Sequence, residues 1–304
     1  MQYCTLLEKA QQWGLSKAIV RRYLQQGRIR GAVMKDGIWL IPAKAEKPRA
    51  LNARPIEPTS PLARKILYQR SKNNHFGIYE YIQVNLAYSS CRMASNRLTL
   101  EQVMEIYRTG KVSIAFEPMK IDDVVEISNH FRACRYMIDT MMEELTGDYL
   151  RSLHAKLFRG TLADQEGRLH IGEYRNTPDK LGIAAASIPA QLTTLFTEYE
   201  RKKEVLLYDT LDLHARFEAI HPFEDGNGRV GRLILVKECL RHGIDPFIID
   251  DKHRSEYNRG IASWNSNPTA LTAVVEQAQK RLQNQKATLD LMEYCRPATG
   301  RGAR

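Results

Sequence analysis

The sequence predicts a mainly α-helical chain: a small N-terminal winged helix-turn-helix followed by a larger helical body. Three observations support this. Residues 65–285 place their apolar side chains mostly at helical spacing. Residues 1–48 read as two short helices and then two short apolar stretches joined by Lys35-Asp36-Gly37, a hairpin signal. Residues 49–64 hold three prolines and few apolar residues, and read as a linker.

In the first unit, Leu6, Ala10 and Trp13 share one helical face, and Gly14 breaks that helix. Ser16 is an N-cap candidate for the second helix, with Ile19, Tyr23 and Leu24 on its buried side and Gly27 at its end. The hairpin stretches are Ile29 to Met34 and Ile38 to Ile41. In the body, Leu213, Phe217 and Ile220 share a face. Val230 and Leu233 to Val236 form a nearly continuous apolar run, as in a helix buried on most sides. Residues 286–304 are expected to be a tail that ends disordered, since nothing periodic follows Tyr294.

Bulk properties narrow the class. With 304 residues, one large and one small domain are natural, and 43% apolar residues can build a core. No run approaches the ~18 apolar residues of a membrane helix, so no membrane partner is expected. Met1 to Ala10 lacks a basic region followed by an apolar stretch, which predicts no secretory leader. Five cysteines without CxxC spacing argue against a disulfide framework or zinc cluster and for a cytoplasmic location. The net charge is +10, and residues 1–55 hold eleven Lys and Arg against three acids. An anionic partner is therefore expected at that end.

The chemistry lies in His221-Pro222-Phe223-Glu224-Asp225-Gly226-Asn227-Gly228-Arg229-Val230-Gly231-Arg232. This stretch joins the end of one helix to the start of another. Backbone N–H groups at the second helix start make an anion cradle. Gly226 and Gly228 can take positive φ and let a phosphate come close. Arg229 and Arg232, three apart, can both reach phosphate oxygens. Asp225 is a hard oxygen ligand suited to Mg²⁺ shared with phosphates. His221 is the side chain best suited to take a proton near neutral pH. Gly226 to Gly231 also spells GxGxxG, but the dinucleotide fold needs a preceding strand and this segment follows a helical pattern. Gly110-Lys111 fails as a P-loop, because Val112 follows and position 105 is Glu. Singly, each residue could belong to a plain helix stop and turn.

The twelve residues resemble the signature of the Fic family, His-Pro-Phe-x-Asp/Glu-Gly-Asn-Gly-Arg-x-x-Arg, at every specified position. The resemblance extends over about 65–285. It implies an all-helical core with a small β-hairpin flap beside the site. It also implies transfer of AMP from ATP to a Tyr, Thr or Ser hydroxyl of a protein, the chain itself included, with release of pyrophosphate. His221 would be the general base and Asp225 the Mg²⁺ ligand. Gly226, Asn227 and Gly228 would form the anion hole, Arg229 would bind phosphate and Arg232 the γ-phosphate.

Gly172-Glu173-Tyr174-Arg175 resembles the family's stretch before the flap, which places the flap near Asn176 to Ala185 with Thr177, Pro178, Asp179 and Lys180. There the target would add as a strand; the alternative is an ordinary surface hairpin. Arg254 to Trp264 resembles the helix beside the nucleotide base, with Tyr257 either an adenine contact or a core tyrosine.

Many Fic proteins carry an inhibitory helix with Ser/Thr-x-x-x-Glu-Gly/Asn. Here Ser90-Cys91-Arg92-Met93-Ala94-Ser95-Asn96 follows that register on a helix expected near 78–96, with Ala94 at the glutamate position and Ser95 at that of Gly or Asn. In the family that glutamate pairs with the arginine equivalent to Arg232 and blocks the γ-phosphate. Ala94 is either a replacement, natural or engineered, or an ordinary helix former.

Residues 1–48 resemble excisionase/MerR-like winged helix-turn-helix modules through Trp13-Gly14-Leu15-Ser16, Arg21-Arg22-Tyr23, Gly27 to Gly31 and Ile38 to Pro42. Lys17, Arg21 and Arg22 would lie on the recognition helix and DNA is the expected partner; a docking module without DNA binding is the alternative. A homo-oligomer is a further open possibility. Competing functions are a DNA-binding regulator with an inert core, and a Fic enzyme that uses another nucleotide or removes AMP.

Overall fold

Leu6, Ala10 and Trp13 can share a helix because Thr5 caps it. The Thr5 hydroxyl accepts from Glu8 N–H, and the Glu8 carboxylate accepts from Thr5 N–H at 2.7 Å. The computed structural model describes residues 2–25, 28–29, 31–35, 38–48, 58, 60–72, 76–113, 119–179 and 182–294. The chain divides into two units, Met1–Ile56 and Glu57–Arg304.

The first unit runs β1 (Tyr3–Thr5), α1 (Leu6–Trp13), α2 (Lys17–Gln25), β2 (Val33–Lys35) and β3 (Ile38–Pro42). Gly14 ends α1 in the left-handed conformation, at φ 63°. β3 is the central strand of an antiparallel sheet, with Cys4 opposite Ile41 and Met34 opposite Trp39. The unpredicted strand is β1, which is too short to show an alternating pattern. Ala10, Trp13, Val20, Tyr23, Leu24, Ile29 and Ile41 form the core. On α2, Val20 and Tyr23 are fully buried, and Ile19 packs against the core partly buried. The hairpin residues Asp36 and Gly37, the helix-ending Gly27 and the side chain of Arg22 lie outside the described residues. Two of the basic residues are used internally: Lys9 donates to the Ala43 and Ala45 carbonyls, and Lys47 to the Trp13 carbonyl.

The second unit carries helices and no strand among its described residues, so the mainly helical expectation holds. Its order is α3 (Pro61–Ser71), α4 (Ile78–Arg92), α5 (Leu100–Thr109), α6 (Ile121–Asp139), α7 (Gly147–Phe158) and α8 (Leu162–Gln165). It continues with α9 (Ile188–Glu200), α10 (Leu207–Ile220), α11 (Asn227–His242), α12 (Arg254–Ala262) and α13 (Pro268–Tyr294). None of the described helices is long and apolar enough to cross a membrane. Cys4, Cys91, Cys134 and Cys239 carry free thiols, and Cys295 lies outside the described residues.

α11 is the central element. Val230, Leu233, Ile234, Leu235, Val236, Cys239 and Leu240 are all at most 3% exposed, so α4, α6, α7 and α10 pack around it. Such burial leaves the polar residues on α11 with fixed partners. Lys237 and Glu238 are both inaccessible and pair with each other, and Arg241 closes the network through Glu200 at 2.6 Å.

Two expected boundaries move, and one expected element is not found among the described residues. α3 begins inside the expected linker, because Ser60 caps it and Pro61 takes the first helical position, where a missing N–H costs nothing. α13 continues through 286–294, where Leu289 packs on the core and Lys65 reaches Asp290 at 2.6 Å. The expected hairpin flap is absent from the described part of 176–185, which carries no strand. Pro178 lacks a ladder donor, and Arg175 takes up the Thr177 and Ile183 carbonyls that a ladder would use. Lys180 lies outside the described residues.

Among the described residues of this unit, three histidines are buried. Burial pushes His130 and His214 down to about 3 and His154 to about 4. The folded state therefore keeps them neutral where the unfolded chain, near 6.5, binds protons. Their contribution is complete above about pH 6.5 and is lost as pH falls toward those folded values. Glu126 and Glu218, raised by burial, pull the other way nearer the carboxylate range. Neither His130 ring nitrogen is hydrogen-bonded, so His130→Leu removes a titration without removing a bond. We expect Tm to fall from pH 7 to pH 5, and to fall less in His130→Leu. Equal slopes in thermal melts of the two chains would refute this.

Candidate active site

The site begins where α10 stops. His221 occupies the left-handed region at φ 49° and ψ 64°, a strained position for a residue with a side chain. Pro222 has no N–H to continue the helix. The loop then closes on itself through Asn227, whose amide accepts from Phe223 N–H and donates to Phe223 O, both at 2.8 Å. Asn227 is 2% exposed. Its side chain thus shapes the loop and is not available to an anion.

Gly226 caps α11 at φ 81°. A Cβ there would lie 2.8 Å from Phe158 Cζ, so glycine is required by both conformation and space. From this start the N–H groups of Asn227, Gly228 and Arg229 have no intrahelical acceptor. Gly228 also leaves room for Arg232, since a Cβ would meet its Nη1 at 2.9 Å.

The two signature arginines have different surroundings. Arg229 is held by Asp225 at 2.9 Å and Glu126 at 3.4 Å, and lies over the Phe158 ring at 4.4 Å. Arg232 donates to the Ser90 hydroxyl at 3.0 Å and the Ser90 carbonyl at 3.1 Å. It has no carboxylate partner within ion-pair distance among the described residues. Ala94 lies in the turn after α4, and Ser95 beside it has φ 76°. That conformation favours Gly or Asn, the residues the inhibitory motif has at this place.

Together these residues line a cavity of about 330 Å³ that takes in Ala94, Glu218, His221, Asp225, residues 226–229, Arg232 and Tyr257. Tyr257 is 1% exposed and its hydroxyl meets His214 Nε2 at 2.5 Å. It is part of the wall, with its polar end turned to the core. Glu218 also reaches the cavity; its Oε1 is buried without a hydrogen-bond partner, 3.9 Å from His214.

His221 Nδ1 lies 2.9 Å from Asp179 Oδ2. Nε2 has no hydrogen-bond partner among the described residues. The His221 carbonyl accepts from Arg175 Nε at 2.7 Å. Of the other flap residues, Thr177 supplies a carbonyl to Arg175 at 2.9 Å, and Pro178 precedes Asp179 without a polar contact of its own. His154, stacked on Phe223 at 4.1 Å, donates from Nε2 to Asp225 O and accepts from Gly172 N–H at Nδ1. Sequence reasoning missed His154, Phe158, Glu126 and Glu218, and missed Asp179 as a partner of His221. Only Glu218 carried a usable signal, one helical turn before His221.

Residues 144–239 match the Fic/DOC family model. The chain is 28% identical over 180 residues to protein adenylyltransferase Fic of Aedes aegypti, and 30% over 179 residues to that of Drosophila erecta. These alignments cover 56% of the chain and 34% of each relative, so the chain spans about a third of the length of the curated relatives it matches. A Fic domain containing signaling protein of Bacteroides thetaiotaomicron has a similar fold, with TM-score 0.60 at 18% identity over 79% of this chain and 99% of that one. Fic-1 from C. elegans gives 0.61 at 18% identity over 76% and 72%. Residues 144–239, which include the whole site loop, thus match a Fic/DOC domain, and the chain's fold is similar to that of Fic proteins.

Proposed function

We propose that the helical unit transfers AMP from ATP to a Ser, Thr or Tyr hydroxyl of a protein. The supporting observation is the placement of His221, its Nε2 without a hydrogen-bond partner among the described residues, on a cavity floored by the α11 N-terminus and flanked by Arg232. The three unpaired N–H groups and the helix dipole suit an anion, and Arg232 can exchange the neutral oxygens of Ser90 for a phosphate. His221 takes the acceptor hydroxyl's proton at Nε2. The hydroxyl oxygen bonds to the α-phosphorus, the bond from that phosphorus to the bridging oxygen breaks, and pyrophosphate leaves. Holding the reactants in line and neutralising charge supply most of such a rate enhancement.

Asp225 fits a Mg²⁺ ion, because its side chain is 63% exposed at the mouth of the cradle. No group of three His, Cys, Asp or Glu could hold a metal alone among the described residues, which suits an ion that takes most ligands from phosphates and water. Bound there, the ion would neutralise charge on the departing phosphates.

His221→Ala should lower AMP incorporation by about 10²–10⁴-fold and leave ATP affinity nearly unchanged. Wild-type turnover in that variant would remove His221 from the reaction. Ala94→Glu should also suppress incorporation, since Ala94 and Arg232 line the same cavity and a carboxylate there competes with the γ-phosphate. Equal rates for both chains would show that the turn after α4 is not an inhibitory element.

For the N-terminal unit we propose DNA binding through α2. Lys17 and Arg21 are exposed on it, whereas Lys9 and Lys47 are engaged with carbonyls. The full chain should bind duplex DNA with steep salt dependence, and Lys17→Glu with Arg21→Glu should flatten the slope by about 1 per lost phosphate contact. No binding at low salt would favour a docking module. DNA binding without any AMP transfer would favour a regulator with an inert core.

A further inference from the structure

We propose that Asp179 is the positioning residue for His221, fixing the imidazole in the tautomer whose Nε2 is unprotonated. The proposal rests on the transfer reaction above. A carboxylate can only accept, so the 2.9 Å contact between Asp179 Oδ2 and His221 Nδ1 places the ring proton on Nδ1. Nε2 then carries the lone pair that must receive the acceptor's proton. Both side chains are less than a fifth exposed, which shields the contact from water.

The loop that carries Asp179 is fastened to the His221–Pro222 segment through Arg175. Arg175, 3% exposed, donates from Nε to the His221 carbonyl, from Nη1 to the Thr177 carbonyl and from Nη2 to the Ile183 carbonyl. Its own N–H donates to the Pro222 carbonyl at 2.9 Å. Gly182 N–H donates to Asp179 Oδ1 at 3.3 Å and steadies the carboxylate. A Cβ at Gly182 would lie 2.8 Å from His221 Cβ and 2.9 Å from the Ile220 carbonyl, so the loop can sit this close only with glycine there. Arg175 thus holds the loop backbone, Gly182 allows the approach and Asp179 sets the proton.

In the transfer step the acceptor proton moves to Nε2, the oxygen–phosphorus bond forms and pyrophosphate departs. His221 becomes an imidazolium beside Asp179, which stays ionised and offsets the new charge. The proton then leaves Nε2 to solvent, and the starting tautomer returns.

The test is a two-bond ¹H–¹⁵N spectrum of the full chain labelled with ¹⁵N-histidine, with the His221 signal identified by its loss in His221→Asn. We expect His221 as the Nδ1–H tautomer. In Asp179→Ala it should revert to the Nε2–H form that free imidazole favours in water. Gly182→Ala should have the same effect while keeping the carboxylate. In turnover assays Asp179→Ala should lower kcat by about 10²–10⁴-fold with little change in KM for ATP, and Asp179→Glu should recover part of it. An Nε2–H tautomer in the unsubstituted chain, or an unchanged tautomer in Asp179→Ala, overturns the proposal. The spectra need no ATP, so failure of transfer in every chain would count against the reaction alone.

Discussion

Helix α11 has to begin at Gly226, and the site depends on that start. The left-handed Gly226 lies against Phe158, where any side chain would collide. Asn227 closes the preceding loop on Phe223. The helix beyond is buried on every side, with Val230, Leu233 and Ile234 inaccessible. Rotating it by one residue would drive Arg229 or Lys237 into apolar neighbours, at a cost of several kcal/mol for an unpaired ion. The register is therefore fixed. Three N–H groups and Arg232 are presented to the cavity as a consequence.

The charges beneath the cavity leave Arg232 without a carboxylate partner among the described residues. Arg229 is committed to Asp225 and Glu126. His130, pressed down by burial and by the two arginines, stays neutral. Arg232 is met by the neutral oxygens of Ser90, and these give up far less than a paired carboxylate would when a phosphate arrives. Glu218 also lines the cavity, and its burial favours the protonated form. The cavity thus has the field an anionic ligand needs before any ligand binds.

The cradle was legible in the sequence because its parts are contiguous. His221, Asp225, Gly226, Gly228 and Arg232 lie within twelve residues, and the helical periods on either side place them at a helix junction. The residues that orient the cradle were not legible, because they arrive from distant elements. Glu126 comes from α6, His154 and Phe158 from α7 and Asp179 from the loop before α9. No spacing rule links such positions. The Asn227 side chain gives no local sign in the sequence that its own loop engages it, while its N–H remains at the α11 start. The hairpin flap was expected from the family resemblance, whereas in its described part Arg175 takes the Thr177 and Ile183 carbonyls. In the first unit, two exposed helices gave clear periods, whereas β1 exists only through pairing with β3.

The central claim is that the cradle aligns the α-phosphorus of a nucleotide with an acceptor beside His221. It is tested most directly by incubating the chain and a cell extract with ATP labelled at the α-phosphate and, separately, at the γ-phosphate. The account predicts protein-bound label from the α position alone, with released pyrophosphate carrying the γ label. Label transferred from the γ position, or none from either, would contradict it.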